Sequence, residues 1–305
     1  MNCSRVSVAF LVLSLFAYLS TSGCSMIKST MPPFASVEGV STRFSAGQII
    51  HVETGKAISF DQLIDQLGST KVIFIGEIHN NPEHHLIQVQ ILQSLMSRYG
   101  PLAVGMEFFQ VPQQEALDRY VRGDVPEERF LSDVGWHKEW SFDYHLYRPL
   151  MLMIKEKGGE ILAINAPNQI VRKVARSGLV SLKPSERAQL ARQIDLNNER
   201  HRLYLREVYS KHSQPDLKRF DYFYQAQCVW EETMAENIAV YLKEHNKRLV
   251  VFTGNGHIIK KFGIPDRTLR RIPVTMATIV PYLLTGQVNL ERQDADYVWL
   301  TRAYP

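Results

Sequence analysis

Val72-Ile73-Phe74-Ile75-Gly76-Glu77-Ile78-His79-Asn80-Asn81-Pro82 decides the architecture of this chain. Four apolar residues in a row, three of them β-branched, read as a strand Val72–Ile75 covered on both faces. Gly76 lets the backbone turn, and Asn81 as N-cap with Pro82 at the first helical position starts a helix over 83–98. Leu86, Val89, Leu92 and Leu95 then fall on one stripe of that helix. The same alternation continues outward, with strands predicted at 102–104, 161–164, Leu249–Phe252, 275–280 and 297–301 and an edge strand near 48–52. A second helix over 144–157 is packed by Leu146, Leu150, Met153 and Ile154 and ends at Gly158-Gly159. This is the pattern of an α/β fold, a mostly parallel sheet flanked by helices.

Between 167 and 246 no strand pattern occurs, and the stretch is longer than a crossover needs, so it reads as an inserted all-helical subdomain. Its last helix, 215–245, presents Phe220, Phe223, Gln227, Trp230 and Met234 on one face, which reads as core. The α/β core then comprises 46–166 and 247–305, with 167–246 as the helical insert.

Composition is that of a globular protein, 45% hydrophobic and 22% charged over 305 residues. The net charge of +4, with bases and acids intermixed, excludes a nucleic-acid stripe. The N-terminus differs from the rest: Arg5, an apolar run over 6–19, then Ser20-Thr21-Ser22-Gly23-Cys24. That apolar run is shorter than the roughly 20 residues a spanning helix requires, so 1–23 reads as an export signal peptide. Small residues running into Cys24 resemble a lipobox, with Thr21 standing where leucine is usual. The expectation is acylation of Cys24 and anchoring to a membrane through the lipid (a palmitate-type chain), with simple secretion as the alternative. Residues 24–45, rich in Ser, Thr, Pro and Gly, read as a lipidated tether, and Ser25 after the cysteine resembles the sorting pattern of an outer-membrane protein facing the periplasm. With Cys3 removed and Cys24 acylated, Cys228 stands alone, so no internal disulfide forms and Cys228 reads as a buried apolar residue.

In an open parallel sheet, ligands bind beyond the carboxyl ends of the strands. Three strand ends here carry the same chemistry: Gly76-Glu77-Ile78-His79, Gly105-Met106-Glu107, and Thr253-Gly254-Asn255-Gly256-His257. Taken singly, each could be a turn cap or a hydrogen-bonded loop residue; repeated at equivalent positions, they predict one rim collecting two carboxylates and two imidazoles. Glu77, His79, Glu107 and His257 form a plausible first shell for a divalent metal with an open position for water. No His-Glu-x-x-His, Gly-x-Ser-x-Gly, Walker loop, Cys-x-x-Cys or c-type haem sequence is present, which removes those classes.

The run Ile75 to His85, Gly105-Met106-Glu107-Phe108-Phe109 and Thr253-Gly254-Asn255-Gly256-His257 resemble the ChaN-like family of haem-binding lipoproteins, within the wider Tiki and erythromycin-esterase group. Trp136, Trp140, Asp143, Tyr147-Arg148-Pro149-Leu150, Ala163-Ile164-Asn165-Ala166-Pro167 and Val280-Pro281-Tyr282 extend the likeness over most of 48–285. The resemblance implies haem as cofactor, iron or haem acquisition as role, a homodimer enclosing a face-to-face haem pair through the helical domain with tyrosine on iron, and an outer-membrane haem receptor as partner. Ferric iron favours a tyrosinate supported by arginine or histidine. The candidates are Tyr144 and Tyr147 beside His145 and Arg148, with His84 and His85 on the first turn of the helix after Asn81, and also Tyr204 and Tyr209 among Arg202, Arg206 and His212. Tyr147 is favoured, although a tyrosine there could equally pack on the sheet with its hydroxyl bonded locally. The alternative reading is a metal-dependent hydrolase in which Glu77, His79, Glu107 and His257 activate water; whether the protein is an enzyme stays open at this point.

Overall fold

The computed structural model describes residues 32–211, 220–245 and 247–302; the expected signal segment 1–23 and Cys24 lie outside them. The strands are β1 (Phe34–Val37), β2 (Ile49–His51), β3 (Lys56–Ile58), β4 (Val72–Ile75), β5 (Ala103–Gln110), β6 (Glu160–Asn165), β7 (Leu249–Phe252), β8 (Met276–Leu284), β9 (Gln287–Leu290) and β10 (Tyr297–Arg302). An eight-stranded sheet runs in the order β3-β2-β10-β8-β4-β7-β5-β6. From β10 to β6 all neighbours are parallel, and β2 and β3 add an antiparallel hairpin at one edge. The mostly parallel sheet expected from the sequence is therefore present.

Side-chain alternation along the strands makes two apolar layers. Ile73 and Ile75 of β4, Val104 and Met106 of β5, and Val250 and Phe252 of β7 face one layer. That layer is closed by α1 (Phe60–Gln66), α2 (Pro82–Tyr99), α3 (Gln114–Arg122), α4 (Glu127–Val134), α5 (Trp136–Glu139) and α6 (Tyr144–Glu156). Val72 and Phe74 of β4, Ala103 of β5, and Leu249 and Val251 of β7 face the other. There they meet the C-terminal half of α10 (Phe220–Glu244) and Ile264 at the start of α11 (Ile264–Arg271). Each fully buried Ile or Phe side chain contributes about 1.5–3 kcal/mol, so these strands hold the rim rigidly.

Asn81 caps α2 as expected, its side chain accepting from the amides of Glu83 and His84 at 2.9 and 3.3 Å. The buried face is rotated from the expected stripe: Ile87, Ile91, Leu92 and Leu95 point inward, while Leu86 is 58% exposed. β5 runs well past the expected 102–104, through Glu107 to Gln110.

Two further expectations are corrected. The described part of the expected tether 24–45 is folded: β1 pairs with β9, and Ala35, Val37 and Phe44 are buried. Alternating apolar residues there outweigh the Ser, Thr and Gly around them. Between β6 and β7 the described residues contain α7 (Asn168–Ser177), α8 (Pro184–Arg187), α9 (Glu199–Lys211) and α10, with no strand. Yet α10 is not confined to an insert, because Met234, Ala235, Ile238, Tyr241 and Leu242 pack on the sheet. Its deepest seam is Tyr224, Cys228, Glu231, Ala235 and Ile238, whereas Phe220, Phe223, Gln227 and Trp230 are only half-buried. Among the described residues, no helix is long and apolar enough to cross a membrane.

Candidate active site

Glu77 leaves β4 directly into the interior and is 1% exposed. Its carboxylate accepts from Gln88 Nε2 of α2 at 2.9 Å and from the Tyr147 hydroxyl of α6 at 3.0 Å, and lies 2.7 Å from His79 Nδ1. With Nδ1 held by Glu77, the outer edge of the His79 ring turns toward the loop after β7, packed between Trp140 and Phe142 at 4.9 Å each. Gly254 in that loop makes the approach possible. A Cβ there would lie 2.9 Å from His79 Cε1, 3.1 Å from His79 Nε2 and 3.8 Å from Glu107 Oε2.

Glu107, on the bulged end of β5, accepts from the Gly254 amide at 2.7 Å and from the Thr253 hydroxyl, and its other oxygen is 3.3 Å from His257 Nε2. His257 Nδ1 is in turn 3.3 Å from Glu231 Oε1 of α10. Glu77, His79, Glu107 and His257, predicted from separate strand ends, thus meet at one place. The sequence reading missed Glu231 and what stands behind it: Arg267 of α11 donates to Glu231 Oε2 at 3.2 Å and also to Glu232, and His201 of α9 lies 3.5 Å from Glu231. A carboxylate on the inward seam of an otherwise apolar helix was the available signal.

The electrostatics follow from this stacking of opposite charges. Burial alone would lower the His257 imidazole, but Glu107 and Glu231 on either side overrule it and push it up to about 10. Burial would likewise raise the Glu107 carboxyl, and the charge and hydrogen bond of His257, with His79 and Thr253, hold it down at about 2. Burial also opposes the charged form of Glu231, but His201, His257 and Arg267 keep it below the usual carboxylate range. His79 is raised against its own burial, first by the Glu77 hydrogen bond and then by Glu107. At neutral pH the core of the site is therefore a carboxylate, imidazolium, carboxylate sandwich.

A divalent metal does not fit this arrangement. Among the described residues, no group of three or more His, Cys, Asp or Glu side chains could hold one. The reason is visible in the bonds: Glu107 and Glu77 already accept hydrogen bonds on both oxygens, and both nitrogens of His257 face carboxylates.

The tyrosines divide into two groups. Tyr147 is 1% exposed and its hydroxyl is occupied by Glu77 and by the His79 carbonyl at 3.2 Å; burial and then the Glu77 charge raise its pKa. Of the two arrangements the sequence allowed, it adopts local packing. Tyr144 is buried against Trp136, its pKa raised by burial and by Tyr120, and Arg148 pairs with Glu127 at 2.8 Å beside it. His84 and His85 are both buried. His84 accepts from the Ile78 amide at 2.9 Å and meets Thr301 at 3.0 Å; burial, then His85, lowers it to about 4. His85 Nε2 bonds the His79 carbonyl at 3.0 Å. Cys228 is fully buried beside Arg267, and burial pushes its thiol up to about 12.

Outside the sheet, α9 and the start of α10 build a different surface. Tyr209 packs on Phe220 and Phe223 at 5.7 and 5.2 Å, Arg202 lies 5.0 Å over Tyr224, and Arg206 lies 5.1 Å over Phe220. Tyr204 is half-buried one turn before, and Leu203 beside it is 56% exposed. Rings tilted against one another, tyrosine hydroxyls and two guanidiniums thus share one surface, with Arg202 also paired to Asp221.

Comparison with known proteins agrees with this fold. The structure of ChaN of Campylobacter jejuni with cofacial haem superposes with a TM-score of 0.65 at 21% identity, covering 82% of this chain and 95% of that one. An erythromycin esterase variant in its open conformation gives a TM-score of 0.45 at 14% identity, covering 74% of this chain and 73% of that one. RETICULATA-RELATED 5, a chloroplastic protein of Arabidopsis thaliana, is 23% identical over 273 residues, 79% of this chain; the chain spans only 35% of that relative's length. Residues 63–268 match the family model described as haem-binding uptake, Tiki superfamily, ChaN, a span that holds Glu77, Glu107, Glu231 and His257 as well as α9, and the chain therefore belongs to the ChaN family.

Proposed function

We propose that the protein binds haem and serves iron or haem acquisition, as an acylated lipoprotein anchored through Cys24 on the periplasmic side of the outer membrane. The observation that carries this is a family match running through the helical segment that presents Tyr204, Tyr209, Arg202 and Arg206. Bound haem would supply redox-active ferric iron in need of an anionic oxygen donor. On this reading Tyr204 or Tyr209 would give one, and Arg206, with Arg202 once released from Asp221, would meet its carboxylates. The buried Tyr147 and Tyr144 are better suited to holding Glu77 and the sheet-facing core. A second copy of the chain closing over the exposed ring face would complete the pocket, and a haem receptor of the outer membrane would be its supplier. Ferric haem titrated into the purified protein should shift the Soret band and produce a dimer on size exclusion. The shift should be lost in Tyr204→Phe or Tyr209→Phe and kept in Tyr147→Phe; no shift in the unaltered protein refutes the proposal.

One observation favours a second reading, hydrolysis without a metal: the partly exposed His79 has one nitrogen fixed by buried Glu77 and the other edge of its ring beside the Gly254 loop. On that reading an activated ester is cleaved in the presence of chelator, at a rate that rises with pH through the raised His79 pKa. A rate unchanged in His79→Gln removes it.

A further inference from the structure

Beyond the carboxyl ends of β5 and β6 lies a second concavity, of about 510 Å³, used neither by the Glu/His cluster nor by the aromatic end of α9. Its floor is tied together from three elements. The Asn168 amide at the start of α7 donates to Gln110 Oε1 at 2.9 Å, the Asn168 side chain to the Glu139 carbonyl at 2.7 Å, and Gln110 Nε2 to Glu139 Oε2 at 2.9 Å. Its walls are basic: Lys138 on one side, and Arg172, Lys173 and Arg176 of α7 on the other.

The charges there are poorly compensated. Lys173 is paired with Glu186 at 2.6 Å, and Lys138 reaches Glu139 only at 3.9 Å. Arg172 and Arg176 are exposed and have no acidic partner within ion-pair distance among the described residues. Four cations line this one cleft against a single carboxylate, in a chain whose whole net charge is +4. Guanidiniums four residues apart on a helix repel each other, which offsets the favourable place of Arg176 in the last turn of α7. The cleft also sits on the side of the sheet where α/β folds take their ligands.

We propose that this cleft binds a small organic anion carrying two or more negative charges as phosphate or carboxylate groups, gripped by Arg172 and Arg176 and faced by Lys138. Its concave form and its volume, within the ~300–1,000 Å³ of small-molecule sites, suit a metabolite-sized ligand and not an extended polymer. Two forked guanidiniums one helical turn apart select for paired anionic groups over a single one.

The test is calorimetric titration of the full chain at low salt with pyrophosphate in one arm and citrate in the other, against the double substitution R172E/R176E. Saturable binding in either arm, weakened at least about tenfold in the substituted protein and with increasing salt, is expected, and the arm that binds names the anion class. Both substitutions lie on the exposed face of α7, and an unchanged circular dichroism spectrum verifies folding. No saturable binding in either arm, or binding unaffected by the charge reversal, overturns the proposal. The haem-dependent Soret shift is read on the same two proteins, so the fate of this cleft and that of the haem reading are separable.

Discussion

Replacing His257 with asparagine is the most direct probe of the buried sandwich. The imidazolium lies 3.3 Å from carboxylates on both sides, and Glu107 and Glu231 are 5% and 0% exposed. Removing it leaves two negative charges facing each other with too few protons between them, and breaking a buried ion pair in this way costs about 3–5 kcal/mol. At ~2–4 °C per kcal/mol for a domain of this size, the melting temperature should fall by roughly 6–20 °C. The pH dependence gives a sharper signature. A histidine raised from 6.5 to about 10 contributes stability that is complete below pH 6.5 and lost as pH rises through 10. Glu107, lowered from 4.5 to about 2, contributes stability that is complete above pH 4.5 and lost as pH falls through 2. The unaltered protein should therefore be most stable between pH 4.5 and 6.5 and weaken steadily toward pH 10. In His257→Asn that alkaline decline should shrink, and stability should instead rise on acidification as the stranded carboxylates take up protons. Thermal unfolding followed by circular dichroism across this range decides it. A variant within about 1 kcal/mol of the parent, or a parent with a flat profile to pH 10, refutes the charged sandwich.

Tyr147→Phe removes one of the hydrogen bonds to the buried Glu77 and should cost about 1.5–3 kcal/mol, read by urea unfolding. Gly254→Ala drives a methyl group into the His79 ring and should cost about 1–3 kcal/mol, with a displaced His79 imidazole resonance in NMR spectra; an unmoved resonance contradicts the close approach. Cys228, fully buried and with its thiol raised to about 12, should resist maleimide at pH 8 in the folded protein and react once denaturant is added.

The strands of the parallel sheet announced themselves as short apolar runs in front of a glycine or a polar turn, whereas β1, β3 and β9 gave no such signal, and Asn81-Pro82 marked the start of α2 within one residue. Glu77, His79, Glu107 and His257 could be brought together on paper because parallel strands deliver their carboxyl ends to one side. What the sequence hid was lateral. Glu231 comes from a helix whose aromatic residues drew attention to the neighbouring face, and Arg267 from a helix with a largely polar exterior. Periodicity reports that one face is apolar, but the angle at which it docks is set by partners remote in the chain, as the rotation of Leu86 out to solvent shows. Composition misled at 34–44, where a few alternating apolar residues suffice to add β1 to β9. The surroundings of Tyr147 were hidden for a similar reason: proximity to Arg148 in sequence does not tell that its hydroxyl meets Glu77 once α6 is docked.

The order in which the strands are joined has a consequence for biosynthesis. β4 and β5 leave the ribosome early but never touch; β7, made much later, is the plank laid between them. Until it arrives, β4 has no strand on either side and β5 is open on one, and these edges must be kept from zipping to each other or to a neighbouring chain. A truncation ending before Leu249 should thus yield aggregates in place of a half-sized domain, and the same strand that joins β4 to β5 also carries in Thr253, Gly254 and His257. The pocket rim is thus gathered before the sheet is finished, because β8 and β10, made last, still have to join β4 to β2.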